Sequence, residues 1–172
     1  MLELAGGTGH WTASLAGYAT RLTVLDASEE TLAINRAKSA ARRDVVADIY
    51  DWQPARRYDV VFFPFWLSHV PPGRFEAVWQ LVDRALRPGG RVFFIDSALS
   101  TSHPLDHVRW DDPGPGISLR QLDDGRQYNI VKVFWQPAAL GQGLATLGFD
   151  IIVRKTSHQY CIYGQGSRRQ DP

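Results

Sequence analysis

Apolar residues in this chain fall in short runs separated by amphipathic stretches. "RLTVLD" (21–26) predicts a buried strand ending in a carboxylate, and "DVVADI" (44–49), "YDVVFFPF" (58–65) and "RVFFID" (91–96) predict three more. Between them, "SEETLAINRAKSAARR" (28–43) predicts a helix. Ser28 is placed to cap it, Glu29 and Glu30 suit its positive start, and Arg42 and Arg43 suit its negative end. "PPGRFEAVWQLVDRALRPGG" (71–90) predicts another: Phe75, Val78, Trp79, Val82 and Leu86 lie on one continuous face, and Pro88, Gly89 and Gly90 stop it. Strands alternating with helices imply βαβ units and a mostly parallel sheet.

The second half follows a different pattern. Residues 97–116 are rich in Pro, Asp, His and Gly and read as loop. "ISLRQLDDGRQYNIVKVFW" (117–135) predicts a β-hairpin turning at Asp124-Gly125. A helix over 137–148 starts at Pro137 and stops at Gly148. "FDIIVRK" and "HQYCIYG" read as two antiparallel closing strands, and 165–172 reads as a frayed tail beyond a single domain, 1–164.

Charge and composition narrow the field mainly by exclusion. With 19 basic and 18 acidic residues among 172, net charge is +1, which makes no electrostatic case for nucleic acid or an anionic membrane. The one cysteine, Cys161, forms no intrachain disulfide or thiolate metal cluster, and no metal is expected. No apolar run reaches membrane-spanning length, and the start lacks the pattern of a signal peptide, so a cytoplasmic protein is expected.

The chemistry enters at "MLELAGGTGHWT", a glycine-rich turn that opens at residue 6, with Met1, Leu2 and Leu4 as the candidate strand beneath it. Glycines between a strand and a helix let a ligand approach bare backbone. A dinucleotide loop wants glycine where Thr12 stands, which weighs against NAD.

The loop resembles the E-x-A/G-x-G-x-G motif of class I S-adenosylmethionine-dependent methyltransferases. "VLDAS", "ADIYDW", "YDVVFFPFWLSHVP" and "ALRPGGRVFFID" are similar to that family's later motifs, in family order and spacing from residue 2 to 96. The resemblance implies a Rossmann-like, doubly wound α/β fold, its mostly parallel sheet having an antiparallel C-terminal strand and here an inserted hairpin. It implies S-adenosylmethionine as cofactor. The residues that would meet it are Glu3, Ala5, Gly6, Gly7, Gly9, Trp11 and Thr12 in and around the loop, and Asp26, Ala27 and Ser28 after the second strand. Asp48, Ile49 and Phe63 complete the set. Asp26 would grip the ribose hydroxyls, a carboxylate offering two acceptors to two neighbouring donors; capping the next helix is its alternative. Asp48 would accept from the adenine amino group with Ile49 against the ring, although Asp51 lies close. Glu3 would support the amino-acid end, or stand exposed in the loop. Phe63 would offer its carbonyl to the ammonium.

On the acceptor side, His69 is the candidate base or a pocket-lining residue, and Phe65, Trp66, Trp110 and Trp135 are candidate substrate contacts, together with Phe134. His103 and His107 lie in the loop after the fifth strand. The implied acceptor is a small molecule, methylated on oxygen or nitrogen. A non-catalytic, cofactor-binding or partner-dependent homologue is the other reading. The resemblance also implies helices and a full first strand before the loop; this chain carries neither the helices nor most of the strand. A fragment, a misassigned start and a shortened protein completed by a second copy, as a homodimer, remain open readings.

Overall fold

The structure is a computed structural model and describes residues 1–38, 42–99, 116–122 and 124–169. Seven strands form one sheet in the order β3-β2-β1-β4-β5-β9-β8, where β1 is Leu2–Leu4, β2 Thr23–Asp26, β3 Arg43–Val46, β4 Tyr58–Pro64, β5 Leu86–Ser97, β8 Phe149–Lys155 and β9 Cys161–Arg168. Among the described residues of this sheet, β9 runs opposite to the other six strands. The helices are α1 (Thr12–Ala16), α2 (Glu29–Lys38), α3 (Phe75–Ala85) and α4 (Pro137–Thr146). The hairpin, β6 (Ile117–Gln121) with β7 (Gln127–Val131), stands apart as a two-stranded sheet. The expected α/β architecture, reversed strand and inserted hairpin are all present.

Strand β1 is short but fully engaged. Leu2, Glu3 and Leu4 pair with Thr23, Val24 and Leu25 on one side, and Leu2 and Glu3 with Val61 and Phe62 on the other. Three residues serve as an interior strand because Leu2 and Leu4 are completely buried and bonded neighbours flank them.

The alternation of β4 and β5 sorts the aromatics onto two faces. Phe62 pairs with Phe93 and their rings stack at 5.5 Å on one face. Phe63 pairs with Phe94, stacking at 5.4 Å on the other, where Trp79 of α3 meets both rings edge-on. Trp79 is wholly buried and also touches Phe149, so α3 is clamped to the sheet through one indole.

Several boundaries differ from the sequence expectation. Helix α3 stops at Ala85, not 90, because Leu86 is already extended (ψ 142°) and pairs with Tyr58; the backbone before Pro88 disfavours helix. Strand β3 ends at Val46, since residues 48–52 turn instead of extending. Arg42 caps α2 by donating to the Asn35 carbonyl, whereas Arg43 belongs to β3. Strand β9 runs to Arg168, into the segment expected as a tail, because Arg91↔Ser167 and Phe149↔Arg168 pairing holds it.

Candidate functional site

Strand order reverses between β1 and β4, and in open α/β sheets ligands bind beyond the carboxyl ends of the strands at such a point. The glycine loop lies there. Ala5, Gly7 and Gly9 have left-handed backbone (φ 52°, 55° and 85°). Ala5 adopts it without a glycine's freedom, a strain of about 1–2 kcal/mol.

The glycines divide by cause. A Cβ on Gly6 would come within 2.2 Å of Val24, and one on Gly9 within 2.4 Å of the Asn35 side chain. Both are glycine so that the loop can pack down on the protein. A Cβ on Gly7 would meet a backbone oxygen at 4.0 Å and nothing nearer, so here the loop offers bare backbone to open space.

Asp26 joins two turns. Its Oδ2 accepts the Gly7 N–H at 2.8 Å and its Oδ1 accepts the Ser28 N–H at 3.0 Å. Each oxygen retains a second lone pair. Ser28 caps α2 by accepting the Thr31 N–H, and Ala27 is exposed between them.

Below the loop lies a buried polar cluster. Glu3 is completely buried: Oε2 accepts the Thr12 hydroxyl at 2.7 Å, and Oε1 has no partner among the described residues. Burial pushes its carboxyl up from 4.5 to about 7, with the Thr12 bond and Arg42 drawing it back only in part. This burial removes the reading of Glu3 as an exposed loop carboxylate. Asn35 of α2, also buried, donates to the carbonyls of Gly6 and Gly7 and to Thr12. Trp11 and Phe62 meet edge-to-face at 5.7 Å, and the buried Trp11 Nε1 has no partner among the described residues.

The turn after β3 begins at Asp48, whose exposed carboxylate accepts the Tyr50 N–H, while its carbonyl accepts from Asp51 and Trp52. Ile49 points into the main core, 6% exposed. Phe63 is wholly buried at the end of β4.

Beyond β4, Phe65 holds φ at 50° and is 41% exposed, so its ring stands free of the core. Trp66 packs between Phe63 and Tyr50. Trp135 leans on Phe75 at 4.8 Å and packs against the core, which commits one face of its ring to packing. Trp110, His103 and His107 lie outside the described residues.

His69 sits in the short turn Leu67–His69. Its Nδ1 is 2.8 Å from the Val131 carbonyl, and a carbonyl only accepts. The neutral ring therefore carries its proton on Nδ1 and leaves Nε2 as an acceptor. Burial, and then the charge of Lys132, hold its pKa below the ordinary 6.5.

Lys132 stands beside it. The ammonium donates to Ser68 Oγ at 2.8 Å and Ser97 Oγ at 3.3 Å and lies 3.8 Å from Asp96 Oδ1, with the side chain 14% exposed. Burial pulls its pKa down against the pull of Asp96. Asp96 is completely buried and accepts the backbone N–H groups of Ser68 (2.8 Å) and Ser97 (2.7 Å). Sequence reasoning passed over Asn35, Asp96 and Lys132. Each leaves a signal: an amide on the apolar side of α2 beside Leu32, a second strand ending in Asp, and a cation between two valines.

Comparison with known proteins agrees with this geometry. A family described as methyltransferase domain matches residues 1–90. The ubiquinone/menaquinone biosynthesis C-methyltransferase UbiE of Rubrivivax gelatinosus is 29% identical over 98 residues, 56% of this chain and 38% of its own; the chain thus spans about two fifths of that relative's length. The structure of DhpI with SAH superimposes with a TM-score of 0.82 at 38% identity, covering 99% of this chain and 76% of that one. The DhpI-SAM-HEP complex gives 0.82 at 41% identity, covering 95% and 76%. With the matched family spanning the loop and strands β1 to β4 of the sheet, the chain belongs to the methyltransferase domain family, in its class I, S-adenosylmethionine-dependent branch.

Proposed function

We propose that this chain transfers a methyl group from S-adenosylmethionine to an acidic oxygen of a small acceptor. The observation that carries the acceptor side is the ammonium of Lys132, buried at the carboxyl ends of β4 and β5 with His69 beside it.

The residues of the loop fit the cofactor. Gly7 leaves backbone open, Asp26 has spare lone pairs for ribose hydroxyls, and the unpartnered Glu3 Oε1 lies under the loop, where a cation above would favour its ionised form. Asp48 stands exposed for the adenine amino group. DhpI, a relative with structures holding SAM and SAH, supports S-adenosylmethionine as the cofactor. Bound S-adenosylmethionine supplies a methyl on a positive sulfur, an electrophile already activated.

What remains for the chain is to orient the acceptor, hold its charge and take its proton. Lys132 stabilises negative charge on the acceptor oxygen, and Arg120, whose charge reaches both Lys132 and His69, adds to that field. His69 presents Nε2 to an acceptor that arrives protonated. Phe65 and Trp66 give the pocket an apolar wall.

Incubating the chain with S-adenosylmethionine and a panel of carboxylic acids, phenols, phosphate esters, amines and neutral alcohols tests this reading. Methyl transfer to oxygen acids is expected, with an acid limb in kcat/KM below the ordinary histidine range that His69→Gln removes. Transfer confined to amines overturns the oxygen-acid reading; cofactor binding with no turnover on any acceptor favours a non-catalytic or partner-dependent homologue.

A further inference from the structure

Two segments distant in sequence meet on the acceptor side: the turn Leu67–His69 after β4 and the hairpin strand β7 with its extension. Three hydrogen bonds hold them together. Val133 N–H donates to the Ser68 carbonyl, His69 Nδ1 to the Val131 carbonyl and Lys132 Nζ to Ser68 Oγ, each at 2.8 Å. Beneath this junction lies Asp96, which grips Ser68 through its backbone and faces the Lys132 ammonium. It is buried beyond reach of an acceptor.

We infer that Asp96 is a positioning residue, which keeps Lys132 charged and pinned to Ser68 so that the hairpin and the turn together form one oxyanion-binding surface. This rests on the acceptor reading above. The chemistry requires such a group: an ammonium taken out of water loses its proton readily unless a counter-charge opposes the loss. The charged and titratable groups facing Lys132 are Asp96 from β5, Arg120 from β6, Cys161 from β9 and His69 from the turn. Of these, Asp96 and the Cys161 thiol pull toward the charged ammonium. Burial and nearby Asp96 push the Cys161 thiol up, so the counter-charge facing the ammonium is Asp96, 3.8 Å away.

Titrating inorganic phosphate, as a plain oxyanion probe, into the chain loaded with S-adenosylhomocysteine tests the inference across pH 7–10. Asp96→Asn is expected to weaken phosphate binding at least tenfold while leaving S-adenosylhomocysteine affinity within twofold. The alkaline loss of phosphate binding should move at least one pH unit lower, a shift that a merely structural role would not produce. Lys132→Gln, run in parallel, separates the two claims. If Lys132→Gln abolishes phosphate binding and Asp96→Asn does not alter it, Asp96 has no positioning role and the acceptor reading stands. If phosphate binds equally well with and without Lys132, or not at all to the unmodified chain, the acceptor reading fails and the inference with it. Should Asp96→Asn not fold, Ser68→Ala decides: it spares both backbone bonds to Asp96 and removes the shorter of the two hydroxyl bonds that pin Lys132. A threefold or greater loss of phosphate affinity supports the inference, and an unchanged affinity overturns it.

Discussion

Among the described residues two carboxylates, Glu3 and Asp96, lie completely buried, and they are treated in opposite ways. Glu3, under the glycine loop, has one oxygen bonded to Thr12 and the other without a partner among the described residues; burial lifts its carboxyl to about 7. Asp96, under the acceptor side, takes a backbone N–H on each oxygen and faces an ammonium. The difference is one of completeness. Asp96 has its partners supplied by the fold and serves as scaffold. Glu3 is left short of one, and a cationic ligand above the loop would complete it.

Neutralising each carboxylate should therefore change stability in opposite directions. The larger effect falls on Asp96. Asp96→Asn leaves Lys132 buried without its counter-charge, and breaking a buried pair costs about 3–5 kcal/mol. Lys132 keeps two hydroxyl partners and is slightly exposed, so a loss of about 2–3 kcal/mol is expected, read as a fall in the urea midpoint at pH 7.

Glu3→Gln should stabilise the ligand-free chain, and only above acid pH. Because the folded carboxyl titrates near 7 and the unfolded one near 4.5, the folded state holds a proton that the unfolded state has lost throughout that interval. Stability consequently declines as pH rises from 4.5 to about 7 and levels off beyond it. The decline amounts to about 3 kcal/mol at most, and Glu3→Gln should abolish it. Urea melts at pH 4.5 and pH 8 check this, the two proteins converging at the lower value. If Glu3→Gln is destabilising at pH 8, Glu3 has the same kind of completeness as Asp96 and the comparison collapses. Saturating S-adenosylmethionine should shrink the difference at pH 8 by favouring ionised Glu3.

Asp26 tests the cofactor half without touching either buried group. Asp26→Ala should raise the dissociation constant for S-adenosylmethionine at least tenfold, about 1.4 kcal/mol, by calorimetric titration. The structure adds a second source for that loss, since Asp26 also fixes Gly7 and Ser28. Asp26→Asn keeps one of those backbone bonds available and should lose less, while phosphate binding on the acceptor side stays unchanged in both.

The two halves differed as much in legibility as in chemistry. In the cofactor half, strand, turn and cap are local in sequence, so "LELAGGTGHWT" and "TVLDAS" each announce their own geometry. What escaped notice there was non-local: Asn35 reaches back across the loop to Thr12, and Gly6 and Gly9 are small because of Val24 and Asn35. The acceptor half is built almost wholly from such long-range meetings. Asp96, Ser68 and Lys132 stand far apart in the chain, and their convergence depends on a hairpin folding back over a turn. Periodicity located β5 and the hairpin but could not dock one on the other, because docking depends on side chains whose partners lie in a different motif. Trp135, a candidate substrate contact, likewise leans on Phe75, a meeting no local pattern announces.

The smallest predicted effect separates these halves by position alone. Gly125 at the hairpin tip has φ of 86°, nearly that of Gly9 in the loop, yet a Cβ there would meet nothing within 4 Å. Gly125→Ala should accordingly carry only the strain of a left-handed alanine, about 1 kcal/mol. That cost falls on the local opening of a two-stranded hairpin, not on the main sheet, because among the described residues β6 and β7 pair only with each other. Amide hydrogen exchange should quicken for the hairpin residues 117–121 and 127–131 while the protection of β1, β4 and β5 stays the same. S-Adenosylmethionine affinity should be unchanged and phosphate affinity slightly reduced, since Lys132 extends directly from β7. A fall in cofactor affinity instead would mean that the hairpin and the glycine loop open as one unit.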